Sequence, residues 1–274
     1  MLISFYLTPR RLSALCLSPN CTKSSLQPHR KRYWLTPPAD DPVALAVQIR
    51  TVCEVYQAAP SLHKQGARVM SCDEMTGVQA LERLHPCLPM LPGHVEREEF
   101  EYLRHGTQSL IANLEVATGQ IIAPTIGPRR TEEDFAAHIA RTLQTDPGAA
   151  WIFVTDQLNT HQSETLVRLV ARQCGIEEDL GIKGKSGHLA MMPTRAAFLS
   201  EPSHRIRFVY TPKHSSWLNQ IEIWFSILVR RLLGRLSCLW VQALRDHILT
   251  FIAYYNRTSN GAFHWSYKGP PARA

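Results

Sequence analysis

The chain has 274 residues, 45% of them apolar and 19% charged, a globular composition that excludes a disordered or fibrous protein and allows one large domain plus an appendage. Lysine and arginine exceed aspartate and glutamate by 30 to 23, a net charge of +7, which suits a polyanionic partner such as nucleic acid, although a merely basic soluble protein has the same balance. Seven scattered cysteines without a CxxC pair suggest neither a disulfide framework nor a zinc site, and no stretch is long and apolar enough to span a bilayer; a cytoplasmic protein with reduced thiols is expected. The apolar opening Met1 to Leu7 precedes its arginines, the reverse of a signal peptide.

Residues 1–39 carry six basic residues, no acidic one and five prolines, the pattern of a tail or linker. From Asp40 to Gln57, Val43, Ala46, Val47, Ile49, Val52 and Val55 approximate helical spacing, and the helix is expected to end before Ala59-Pro60. Ala67 to Asp73 reads as a strand. Phe100 to Arg104, Ser109 to Leu114 and Gln120 to Ala123 read as further strands, an antiparallel meander with a turn at Ala117-Thr118-Gly119. Thr131 caps a helix running to about Gln144, and Glu132, Glu133 and Asp134 lie on its positive end, which accounts for those acids without catalysis.

Trp151 to Thr155 is a continuous apolar run, as in a strand buried on both faces, and it stops at Asp156. A helix from about Ser163 to Arg172 follows, then a strand at Ile206 to Tyr210. Leu218, Ile221, Phe225, Leu228 and Leu232 step along one helix ended by Gly234, and Val241, Leu244, Ile248, Ile252 and Tyr255 mark a last one. The order predicts an α/β fold, a mixed sheet flanked by helices, without internal repeats.

Asp73 and Asp156 each close an apolar strand, where ligands of open α/β sheets commonly bind. A carboxylate beside a dry core is costly unless it is paired or bound to a metal, whereas an ordinary turn or cap role needs neither. Glu222 lies in a helix between two isoleucines, on the border of its apolar stripe. Three carboxylates without a histidine cluster form a hard oxygen site suited to Mg2+ or Mn2+. Two such ions, roughly 4 Å apart, activate an attacking hydroxyl and stabilise the leaving oxygen of an in-line displacement at phosphorus.

Cys72-Asp73-Glu74, Val154-Thr155-Asp156-Gln157-Leu158-Asn159-Thr160-His161 and the block from Tyr210 to Phe225, with Trp217-Leu218-Asn219-Gln220-Ile221-Glu222 at its centre, resemble the DDE domain of bacterial insertion-sequence transposases related to mariner elements. The resemblance covers roughly Val69 to the C-terminus. It implies an RNase H-like fold, an antiparallel meander plus parallel strands, with catalytic and metal-binding roles for Asp73, Asp156 and Glu222. It also implies two Mg2+ or Mn2+ ions, cleavage of DNA at transposon ends, transfer of the 3'-hydroxyl to target DNA and a homo-oligomer on paired ends. The expected place is the bacterial cytoplasm, at the nucleoid, with no membrane partner.

The chain departs from that family in two respects. Glu222 follows Asp156 by 66 positions, longer than the usual mariner-type gap, so an insertion is expected at about 175–202, forming local structure without breaking the triad. Lys183, Lys185 and Arg195 within it are candidates to face DNA, or belong to a solvated loop. Upstream, only about forty unpatterned residues precede the first helix, and they are expected to be a remnant of the helix-turn-helix region that such transposases carry, with a basic tail at 1–39, the catalytic domain at 40–274 and its core at about 67–258. His161 is a candidate to orient a catalytic group or to contact phosphate, against a packed-corner role, and Lys213 and His214 are candidates to hold a DNA backbone near the metals, against loop-surface roles. Trp217 and Trp224 read as hydrophobic support. A related RNase H-like nuclease without strand transfer, or an inactive truncated DNA-binding remnant, remains as an alternative.

Overall fold

The computed structural model describes residues 41–258 and 261–269. The basic segment 1–39 lies outside the described residues. A first helix, α1 (Pro42–Lys64), is capped by Asp41, whose carboxylate accepts from the amides of Val43 and Ala44. It runs through Pro60 instead of ending before Ala59-Pro60. Pro60 is exposed while Ala59 is buried and Leu62 packs on the core beneath, so packing of the last turn outweighs the missing backbone donor.

Five strands form one sheet: β1 (Ala67–Arg83), β2 (Tyr102–Glu115), β3 (Ile121–Gly127), β4 (Ala150–Thr155) and β5 (Ile206–Tyr210), in the spatial order β3-β2-β1-β4-β5. The first three make the antiparallel meander, and β4 and β5 join β1 in parallel. This is the mixed sheet of the RNase H-like fold. Phe100 to Arg104 and Ser109 to Leu114, read as two strands, belong largely to the single strand β2, which pairs with β1 through two register shifts.

Helices α2 (Glu132–Gln144), α3 (Glu164–Cys174) and α4 (Met192–Leu199) cover one face over Met70, Cys72, Trp151, Phe153 and Phe208. The other face carries α1 over Val69, Ile152 and Val154, and α5 (Ile221–Leu228) and α6 (Val241–Thr258) over Leu110, Ala112 and Leu114. Consecutive strand residues point to opposite faces, so β1 sends Val69, Ser71 and Asp73 toward α1 and α5. Segment 175–202 contains α4, and its Leu189, Phe198 and Leu199 are buried in the central core. Among the described residues, no helix is long and apolar enough to cross a membrane.

Beneath α2 lies a buried polar cluster. His138 Nδ1 is 2.7 Å from Thr125 Oγ1, and its Nε2 is 2.7 Å from the Asn113 amide. Burial holds this imidazole neutral, its pKa pushed down to about 3, with repulsion from Arg141 and His161 adding. The unfolded chain binds the proton near pH 6.5 and the folded chain only near 3. The stabilising contribution is therefore complete above pH 6.5 and is lost as pH falls toward 3. Urea denaturation at about pH 7 and about pH 4.5 should show His138→Gln to be less acid-sensitive than the parent by about 2–3 kcal/mol; equal pH slopes would contradict a neutral buried imidazole.

Candidate active site

β4 pairs with β1 only from Ala67↔Ala150 to Ser71↔Val154. Asp73 and Asp156 each lie two residues past the last pair, side by side at the edge where the parallel strands give out, and neighbouring strands are about 4.8 Å apart. Asp73 is not at the end of its strand as the sequence suggested: β1 continues to Arg83, paired with β2 alone. What ends beside Asp73 is its neighbour β4, and that opens the site.

Each aspartate is held in place. Asp73 Oδ1 accepts from the Glu74 amide at 2.8 Å and Oδ2 from Asn219 Nδ2 at 3.0 Å. Its pKa is pushed up to about 6, chiefly by burial; the Glu74 amide and His161 oppose the shift, and repulsion from Asp156 and Glu222 adds to it. Asp156 Oδ1 accepts from the Leu158 amide at 2.9 Å and lies 2.7 Å from His161 Nδ1. Partial burial works against its ionisation, but the His161 hydrogen bond and charge, the Leu158 amide and Arg130 outweigh it, and the carboxyl stays below its ordinary range.

Glu222 lies on the first turn of α5 and is exposed. Partial burial and repulsion from Asp156 raise its pKa, so the second aspartate and this glutamate act on each other electrostatically. The start of α5 is fixed by groups far away in sequence: the Ile221 amide donates to Ser71 Oγ at 2.9 Å and the Gln220 amide to the Tyr56 hydroxyl at 3.4 Å. These bonds satisfy amides that a helix start otherwise leaves unpaired. Asn219, also fully buried, hydrogen-bonds Ser71 through Oδ1 and donates from Nδ2 to Cys72 O at 3.0 Å. It ties β1, Asp73 and the Glu222 helix together.

The helix read as continuous from Leu218 to Leu232 is broken. A 3-10 turn covers Ser216–Leu218, α5 spans eight residues, and Val229–Leu233 forms a wider turn in which the Gly234 amide donates to Val229 O at 2.8 Å.

The remaining candidates differ in placement. Lys213 and His214 are exposed in the loop between β5 and α5, with His214 in the left-handed backbone region at φ 60°. Lys185 is exposed in the loop 181–187, and Lys183 beside it lies 3.5 Å from Glu132 and 4.0 Å from Glu164, the acids that open α2 and α3. Arg195, a candidate to face DNA, instead donates to Gln162 O at 2.7 Å and Leu189 O at 3.1 Å and braces the loop after β4. His161 is 0% exposed, which does not suit a contact with DNA. Its ring lies against Phe135, 4.2 Å between centroids, and joins Asp156 to Glu74. Those carboxylates overcome the burial penalty and raise its pKa to about 9.

Trp224 is buried, whereas Trp217 is 54% exposed against Tyr267. Glu74, Asn219 and Arg130 were given no role in the sequence; Glu74 and Asn219 stand as polar residues within the motif segments, and nothing local marked Arg130.

Whether a metal fits is decided by the donors. All three acids are hard oxygen ligands, and the repulsion between Asp156 and its two partners is of the kind a divalent cation relieves. Among the described residues, no three His, Cys, Asp or Glu side chains are gathered closely enough to enclose an ion as they stand. Asp73 and Asp156 are fixed by hydrogen bonds, while Glu222 stays exposed on its helix.

The strand order and the mixed antiparallel and parallel pairing define the RNase H-like class of fold. Residues 68–244 match the DDE superfamily endonucleases, and the chain belongs to that family. No curated protein matches it in sequence. Among solved structures, the fold is similar to that of the Mos1 mariner paired end complex with Mn, with a TM-score of 0.52 at 11% identity over 86% of this chain and 62% of that one. The catalytic domain of Mos1 mariner transposase is similar with a TM-score of 0.47 at 9% identity, over 82% of this chain and 85% of that one. The chain thus spans less than two thirds of the first of these proteins.

Asn219→Ala tests the tie between β1 and α5. Loss of its buried hydrogen bonds should lower stability by about 1–3 kcal/mol in urea denaturation, and an unchanged midpoint would contradict the role.

Proposed function

We propose that this chain is a DNA transposase that cuts DNA strands at the ends of a mobile element and joins the freed 3'-hydroxyl to target DNA, with Asp73, Asp156 and Glu222 as its catalytic carboxylates. The observation that carries the reading is the adjacency of Asp73 and Asp156 past the last β1–β4 pair, with Glu222 in electrostatic range. Membership among the DDE superfamily endonucleases supports strand cleavage, and the likeness of fold to a transposase paired end complex supports the transposon end as substrate.

The three carboxylates would hold two Mg2+ or Mn2+ ions, which supply activation of a water or 3'-hydroxyl and stabilisation of the leaving oxygen at phosphorus. The Glu74 amide and Asn219 hold the Asp73 carboxylate beside the end of β4, and the Leu158 amide and His161 hold that of Asp156. Glu222 is delivered by a helix start anchored on Ser71. Lys213 and His214, exposed just before that helix, and Lys185 are proposed backbone contacts. Lys183 joins them if DNA displaces its acidic partners. An insertion-sequence origin, action at the nucleoid of a bacterial cytoplasm and a homo-oligomer on paired ends belong to the same reading.

The test is nicking and joining of labelled duplexes in Mg2+ or Mn2+. Cleavage by the parent chain that falls to background in Asp156→Asn is expected, and nicking that survives the substitution would defeat the proposal. Cleaved strands without joined products would instead indicate an RNase H-like nuclease that lacks strand transfer.

A further inference from the structure

Directly behind the site, on the α2 side of the sheet, a row of charged groups runs inward from the surface. Arg130 Nη1 is 3.1 Å from Glu74 Oε2, Glu74 Oε1 is 3.5 Å from His161 Nε2, and His161 Nδ1 is 2.7 Å from Asp156 Oδ1. The two middle side chains are sealed off, Glu74 at 1% and His161 at 0% exposed, while that of Asp156 is 40% exposed. Neither Glu74 Oε1 nor His161 Nε2 has a hydrogen-bond partner among the described residues, and their 3.5 Å approach is a close contact without hydrogen-bond geometry.

Glu74 is a fourth acid next to Asp73, yet successive strand residues point to opposite faces, and its oxygens face His161 and Arg130. It is not placed as another ligand. The two ring nitrogens of His161 face the two acids: Nδ1 lies 2.7 Å from Asp156 Oδ1 and 3.3 Å from Asp156 O, and Nε2 stands 3.5 Å from Glu74 Oε1. Buried polar groups need partners, and Asp156 supplies one for the ring while Arg130 supplies one for Glu74.

We infer that His161 and Glu74 are positioning residues for Asp156: the ring Nδ1 and the Leu158 amide both hold Oδ1, which leaves Oδ2 for a cation, and Glu74, itself tied to Arg130, backs the ring from its other side.

The loop that carries His161 is itself pinned, with the Tyr210 hydroxyl donating to His161 O at 2.9 Å and Arg195 to Gln162 O at 2.7 Å. Strand β5 and the helix of segment 175–202 thus hold the device from outside. The inference rests on the proposed role of Asp156 as a metal ligand, and the experiment separates the two.

Mn2+ affinity is measured by electron paramagnetic resonance on the metal-loaded chain, with folding checked by near-UV circular dichroism. His161→Leu keeps the packing on Phe135 but not the grip, and Glu74→Gln removes the carboxylate that backs the ring. Each should weaken Mn2+ binding by about tenfold or more, as loss of groups that orient a ligand does. His161→Asn, whose amide nitrogen falls near the place of Nδ1, should restore most of the affinity lost in His161→Leu, which a purely structural role would not produce. Folded His161→Leu and Glu74→Gln chains that bind Mn2+ like the parent overturn the inference; if His161→Leu does not fold, Glu74→Gln decides alone. Asp156→Asn is run in parallel: parental Mn2+ affinity there overturns the ligand reading itself.

Discussion

The parallel pairing of β1 with β4 positions everything else in the site. It runs for five residue pairs and stops at Ser71↔Val154, so the next residue on the same face of each strand is an aspartate. Because β4 is buried on both faces, a slip of register by one residue would turn its whole apolar set over and is strongly disfavoured. The helices serve that pairing: α2, α3 and α4 pack one side of the parallel strands and α1 the other.

Acids placed this close are expensive, and the surrounding structure consists largely of compensation. Burial and neighbouring acids raise the pKa of Asp73, whereas Asp156 remains easily ionised because His161, an amide and Arg130 favour its charge. The pair is therefore unequal, one carboxylate reluctant and one ready to carry charge near neutrality. Asn219 adds a mechanical link, since the side chain that donates to Asp73 also stands two residues before the helix that carries Glu222.

Much of this was legible in the sequence wherever burial writes a continuous pattern. Trp151 to Thr155 read as a strand ending at Asp156 because a strand covered on both faces shows an unbroken apolar run, and Ile206 to Tyr210 read with its observed bounds although Arg207 interrupts its apolar residues. The end of β1 was misjudged because its continuation depends on pairing with β2 across bulges after Met75 and Gln79, which local alternation does not reveal. Pro60 and the break at Ile221–Val229 were missed for a similar reason, since tertiary packing and caps from Ser71 and Tyr56 set those boundaries. The roles of Glu74 and Asn219 depend on partners 56 and 147 positions away. Polarity marked these residues, but only the fold supplied their partners.

The central claim is that Asp73, within β1, and Asp156, just past the end of β4, make one cation site, and anomalous diffraction from Mn2+-soaked crystals tests it most directly. The account predicts anomalous density between the two aspartates, about 2.1 Å from carboxylate oxygens of both Asp73 and Asp156. Manganese bound without either aspartate, or a site left empty at concentrations that support strand cleavage, would contradict it.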